Sequence, residues 1–98
     1  MSLPVLLRPE AEDDARQARD QLDAARAGLG RQFLSQMRAV LERIEATPEI
    51  HGIVWKDVRA ARLKRFRYVV YYVVLKERID VLGILHGARS PSVYRSRT

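Results

Sequence analysis

Residues 64–86, KRFRYVVYYVVLKERIDVLGILH, carry the longest apolar pattern in the chain. Val69 to Leu75 is an unbroken run of β-branched, aromatic and aliphatic residues. Lys76-Glu77-Arg78 interrupts it, and Ile79 to Leu85 resumes with one acid and one glycine inside. Two such runs flanking a short charged break predict a β-hairpin. A two-residue loop sets Tyr72 opposite Gly83 and a three-residue loop sets Tyr71 there, so an aromatic ring covers the glycine in either register. With the shorter loop, Tyr68, Val70, Tyr72, Val74, Ile79, Val81, Gly83 and Leu85 share one face, and Val69, Tyr71, Val73, Leu75, Leu82 and Ile84 share the other. Both faces are apolar in either register. A small domain covers one with its own helices, and the second then needs a chain tail or a partner.

Upstream the period changes. Leu3 to Leu7 reads as a short strand, and Pro9 suits the first position of a helix whose acids Glu10, Glu12, Asp13 and Asp14 favour the positive end of its dipole. Ala11, Ala15, Ala18, Leu22, Ala25 and Leu29 then recur at steps of four and three, a narrow stripe of small residues that allows close approach. Gly28 and Gly30 separate this helix from a second, whose bulkier stripe of Phe33, Met37, Val40, Leu41 and Ile44 runs to Thr47-Pro48. The short turn makes the two antiparallel. Residues 48–57 read as a loop passing into a strand or extended arm, and Trp55 reads as a lid on the core edge in preference to a stacking platform. Residues 58–66 read as a strand leading into the hairpin. In residues 86–98 the glycine, proline and serines forbid a regular strand, which predicts a frayed basic terminus.

Composition narrows the function classes. Ninety-eight residues make one domain, 1–98, and 47% hydrophobic content excludes wholesale disorder. No apolar run is long enough for a membrane span, and Leu3–Leu7 is too short for the apolar core of a signal peptide. With no cysteine, disulfides and thiolate metal sites are excluded, and a reducing cytoplasm fits. The net charge of +6 is uneven. Residues 1–53 hold seven Lys/Arg against nine Asp/Glu, whereas residues 54–98 hold eleven against three. A basic strand half favours a polyanion or an acidic protein partner.

No phosphate loop, zinc spacing or nucleophile elbow is present, and His51 and His86 are thirty-five residues apart. No cofactor and no metal are expected. What remains is a set of basic and hydroxyl groups around one sheet edge: Arg59, Arg62, Lys64, Arg65, Arg67, His86, Arg89, Tyr94, Arg95 and Arg97. Metal-free RNA cleavage needs a base, cations for the phosphorane and an acid for the leaving oxygen, and this set contains all three. Arginine contacts to phosphate or to an acidic protein use the same residues.

Taken in order, RPEAEDD at 8–14, GLGRQF at 28–33, ERIEATPE at 42–49, VRAARLKRFRYVVYYVV at 58–74 and IDVLGILHGARSPSVYRSR at 79–97 resemble the RelE/ParE superfamily of toxins from type II toxin–antitoxin systems, also called plasmid stabilisation proteins. The resemblance implies an α+β fold, a helical hairpin packed on a three- to four-stranded antiparallel sheet in the order β-α-α-β-β-β. It implies a cytoplasmic toxin that inhibits growth, with no membrane partner, held in a hetero-oligomer by a cognate antitoxin with an acidic C-terminal segment. Antitoxin or target binding then falls to Arg59, Arg62, Lys64, Arg67, Tyr71, Leu82, Ile84 and Arg95. RelE-type members cleave mRNA on the ribosome; in that case Arg65, His86, Arg89 and Tyr94 are the catalytic set. ParE-type members poison DNA gyrase and need no catalytic residues. The long helical hairpin, His86-Gly87-Ala88-Arg89 and the following Ser-Pro are nearer the ParE-type branch, while Arg67 stands where proline is common and Tyr94 where tryptophan is frequent. A third possibility is an inactive relic that keeps only the antitoxin site.

Overall fold

A computed structural model describes residues 2–98, so Met1 of the expected domain 1–98 lies outside the described residues. The elements run β1 (Val5–Leu7), α1 (Pro9–Ala25), α2 (Leu29–Ala46), β2 (Ile53–Trp55), β3 (Val58–Arg62), β4 (Tyr68–Val74), β5 (Ile79–His86) and α3 (Pro91–Arg95). The α+β class and the helical hairpin are as expected. The sheet differs in count and sense: among the described residues it has five strands in the order β1-β5-β4-β3-β2, and β1 pairs parallel to β5 while the other pairs are antiparallel. The parallel pair closes across more than seventy residues of sequence, with the N–H of Ile79 donating to the carbonyl of Pro4 and that of Arg8 to Val81. β2 arises because Lys56, at φ 52°, turns the chain back within two residues, so part of the expected 48–57 arm becomes an edge strand.

The helices pack as their stripes require. Ala11, Ala15 and Ala18 of α1 are buried, together with Phe33, Val40 and Ile44 of α2. Gly28 adopts φ 92°, a left-handed conformation that glycine accepts without strain. Asp23 accepts hydrogen bonds from the N–H groups of Gly28 and Gly30 at 3.0 and 3.1 Å, satisfying donors at the start of α2. Gly30 also lies so close to α1 that a Cβ would stand 2.7 Å from the Arg19 carbonyl oxygen. This glycine sets the helix separation.

The hairpin register combines both sequence alternatives. Leu75 N–H donates to Arg78 O across a two-residue turn of Lys76-Glu77, yet Tyr71, not Tyr72, stands opposite Gly83. An irregularity between Tyr71 and Tyr72, where Tyr72 pairs with Val81, supplies the shift. This bulge at Leu82 reverses the alternation, so Ile84 joins the helix-side cluster with Val70, Tyr72, Ile79 and Val81. Leu82 and Leu85 fall on the opposite face with Val58 and Val73. The face sets expected from simple alternation are therefore corrected at Ile84 and Leu85.

The second face is covered by the chain's own tail. Residues 91–95 form a helix rather than a frayed end: Ser90 caps it by accepting from Ser92 N–H, Pro91 occupies its first turn, and Tyr94 is buried. Tyr94 stacks on Tyr71 at 4.1 Å with the rings 4° from parallel. Arg97 then crosses the edge of β5 beyond the end of β1, donating to Asp14 Oδ2 at 2.6 Å and to Leu82 O at 3.1 Å, while Asp14 accepts from Ile84 N–H at 3.0 Å. Arg8 donates to the Arg97 carbonyl. The ion pair thus satisfies edge groups that a longer β1 would have paired. Among the described residues no helix is long and apolar enough to cross a membrane.

Candidate functional site

The connection between β3 and β4, Leu63 to Arg67, folds over the end of the sheet and faces the chain leaving β5. Between them lies a cleft of 640 Å³ lined by Arg62–Val69 and His86–Ala88. Phe33 of α2 supports its floor edge-on, with ring centroids 5.7 Å from Phe66 and 5.1 Å from Tyr68; Tyr68 in turn meets His86 at 5.4 Å. The far wall is held by Gly87 N–H donating to Arg67 O at 2.7 Å and by Ala88 N–H donating to His86 Nδ1 at 3.1 Å. Because Nδ1 accepts, the neutral ring carries its proton on Nε2. A second recess of 200 Å³ continues past Tyr68 and His86 toward Gln17, Gln21 and Arg89.

The charge at this end is uncompensated. Among the described residues, none of Arg62, Lys64, Arg65, Arg67 and Arg89 forms an ion pair. All five are exposed. Burial pushes the Tyr68 phenol above its ordinary value, against the opposing pull of Arg89. No group of three or more His, Cys, Asp or Glu is arranged to hold a metal among the described residues.

The residues singled out from sequence divide between different places. Arg62, Lys64, Arg65, Arg67 and His86 line the cleft, and Arg89 lines the recess beside it. Tyr94 lies on the other face of the sheet, beneath Tyr71, whose phenol is pushed up by burial and then by Tyr94. Arg95 also belongs to that face, 5.2 Å from the Trp55 ring. This makes Trp55 a lid held by α3. Arg59 points to the helix side and donates to the carbonyls of Glu49 and His51, fastening the 48–52 loop. Leu82 and Ile84 are 0% and 1% exposed, so neither presents a surface as folded. Sequence reading gives Asp14 to the helix dipole alone, although an acid set three residues after Ala11 and four before Ala18 stands beside a buried stripe.

His51 offers a pH-dependent test of this packing. Its Nε2 is buried without a hydrogen-bond partner among the described residues, and its pKa is lowered by burial first, then by Arg43 and Arg59. The unfolded chain therefore takes up a proton at this residue before the folded one does. Its stabilising contribution is complete above the ordinary histidine value of about 6.5 and is lost as pH falls toward the lowered value. Denaturation midpoints of the parent chain and His51→Gln should diverge below about pH 6.5, with the variant losing less. Parallel profiles would contradict it. Asp80 acts further down. Hydrogen bonds from Arg78 at 2.7 Å and Arg8 at 3.2 Å hold its carboxyl below the ordinary value, so that contribution is lost only in stronger acid.

Comparisons with known proteins identify the family and the fold. A family model described as the ParE toxin of the type II toxin–antitoxin system parDE matches residues 5–91. Toxin ParE2 of Mycobacterium tuberculosis, in strains CDC 1551 and H37Rv, is 34% identical over 70 residues, covering 71% of this chain and 67% of the relative. A solved structure titled as the chromosomal ParDE TA system from P. aeruginosa superposes with a TM-score of 0.66 at 14% identity, over 86% of this chain and 95% of that one. The structural likeness shows the shared fold.

Proposed function

Because the chain belongs to the ParE toxin family of type II toxin–antitoxin systems, we propose that residues 1–98 act as one cytoplasmic toxin domain that inhibits DNA gyrase. A cognate antitoxin neutralises it in a hetero-oligomer. The observation that carries the gyrase reading over RNA cleavage is the separation of the nominated catalytic groups. Arg65 and His86 line the cleft, whereas Tyr94 is buried under Tyr71 on the other side of the sheet. General acid–base cleavage requires its groups within hydrogen-bond reach of one phosphodiester. A basic cleft without that convergence suits a protein that binds and obstructs.

The antitoxin reading rests on charge. Arg62, Lys64, Arg67 and Arg95 are exposed and free of ion pairs among the described residues, the first three at the cleft and Arg95 on the opposite sheet face, where Tyr71 is half-buried. An acidic C-terminal segment complements this surface. One observation favours ribosome-dependent, metal-free mRNA cleavage as the second reading: Tyr68 stands against His86 and could replace Tyr94 as the cleft's phenol. Purified toxin added to gyrase and plasmid separates the two. Loss of supercoiling with accumulation of gyrase-linked broken DNA, reversed by the antitoxin, is the expected result; undisturbed supercoiling would overturn it.

A further inference from the structure

The cleft and the recess beside it form one track, and its lining is more specific than a basic surface. Tyr68 and His86 line both, so the two adjoin there, and the recess also holds the Asp14 carboxylate, which Arg97 engages. At 640 Å³ the larger is within the range of small-ligand sites, about 300–1,000 Å³. Along the track the wall offers three chemistries in turn. Lys64 and Arg67 bring charge without a counter-ion among the described residues, Phe66 and Tyr68 bring partly exposed rings, and Gln17 and Gln21 bring exposed amides.

We infer that this track binds single-stranded nucleic acid, with phosphates on the unpaired cations, a base against the aromatic floor and the next base edge at the glutamines. An acidic peptide would use the cations alone. The rings suit the flat face of a base, and glutamine amides present donors and acceptors together, which matches a base edge better than a carboxylate. Duplex ends cannot offer an unpaired base to the rings. The inference rests on the toxin reading for its biological meaning, placing the nucleic acid of the poisoned machine in direct contact with the toxin.

The test is fluorescence anisotropy of the purified chain with a labelled single-stranded oligodeoxynucleotide. RNA of the same sequence, the duplex and polyglutamate serve as comparisons. Neutralising about three phosphates predicts binding roughly twentyfold weaker at 200 mM than at 50 mM salt. The double variant Lys64→Ala/Arg67→Ala should lower the salt slope by about 1.4. Lys76→Ala, which removes the same charge type at the opposite end of the hairpin, should leave it unchanged. Preference for DNA or for RNA identifies the source of the strand. Equal affinity for the duplex, equal displacement by polyglutamate, or an unaltered slope in the double variant would each overturn the inference. Gyrase inhibition without oligonucleotide binding would remove this inference and leave the toxin reading intact; binding without any effect on gyrase would do the reverse.

Discussion

Replacing Phe33 with alanine should remove about 3–5 kcal/mol of stability and disorganise the cleft as well. The ring is fully buried and joins three parts of the molecule. It projects from α2, packs in the cluster formed by the alanine stripe of α1 and the inner face of β4 and β5, and meets Phe66 and Tyr68 edge-on. Truncation leaves a void between rigid elements that collapse only in part, and it also removes two aromatic edge contacts worth about 0.5–1.5 kcal/mol each. Native domains are stable by about 5–15 kcal/mol, so the loss is a large share of the total. Chemical denaturation measures it as a lowered midpoint at unchanged slope. A midpoint close to that of the parent would mean that the helices and the cleft floor are held by other contacts.

The second large effect is expected at Asp14. Asp14→Ala strips the partner from Arg97, whose side chain is only 17% exposed, and leaves the Ile84 N–H without its acceptor. An uncompensated, largely buried charge and an unpaired buried donor together cost about 3 kcal/mol. Loss of the anchor also frees α3 locally, because Arg97 is the residue that ties the tail to α1 and to the β5 edge. Amide exchange at Ile84 and around Tyr94 should therefore accelerate more than exchange in α2. Asp14→Asn keeps an acceptor for the amide and should lose less. Uniform acceleration throughout the chain would show global destabilisation alone and contradict a local anchor.

These two residues illustrate what a sequence displays. Phe33 is legible because the spacing of Phe33, Met37, Val40, Leu41 and Ile44 has a helical period, and burial follows from period alone. The β4–β5 hairpin is legible for the same kind of reason. Its register is not, since the bulge places Gly83 where a Cβ would stand 2.7 Å from the Arg97 guanidinium, a condition set by a residue fourteen positions away. The parallel β1–β5 pair is likewise non-local. The terminal helix is a different case. Ser90-Pro91 is a regular cap and first turn, but the serines and arginines around it carry no apolar period to announce a helix. At the site, the cations of the β3–β4 connection and His86 were visible as a basic cluster, and the cleft brings them together. The sequence places Tyr94 with them around one sheet edge, and the turn at residues 87–90 carries it to the other face.

The central claim is that this fold stops growth through gyrase, with binding rather than RNA cleavage as its chemistry. Inducing the chain alone in a bacterial host, and reading growth, SOS response and transcript 5′ ends from one culture, tests it most directly. The account predicts arrest with SOS induction and intact transcripts. Arrest with cuts inside translated codons, or continued growth, would contradict it.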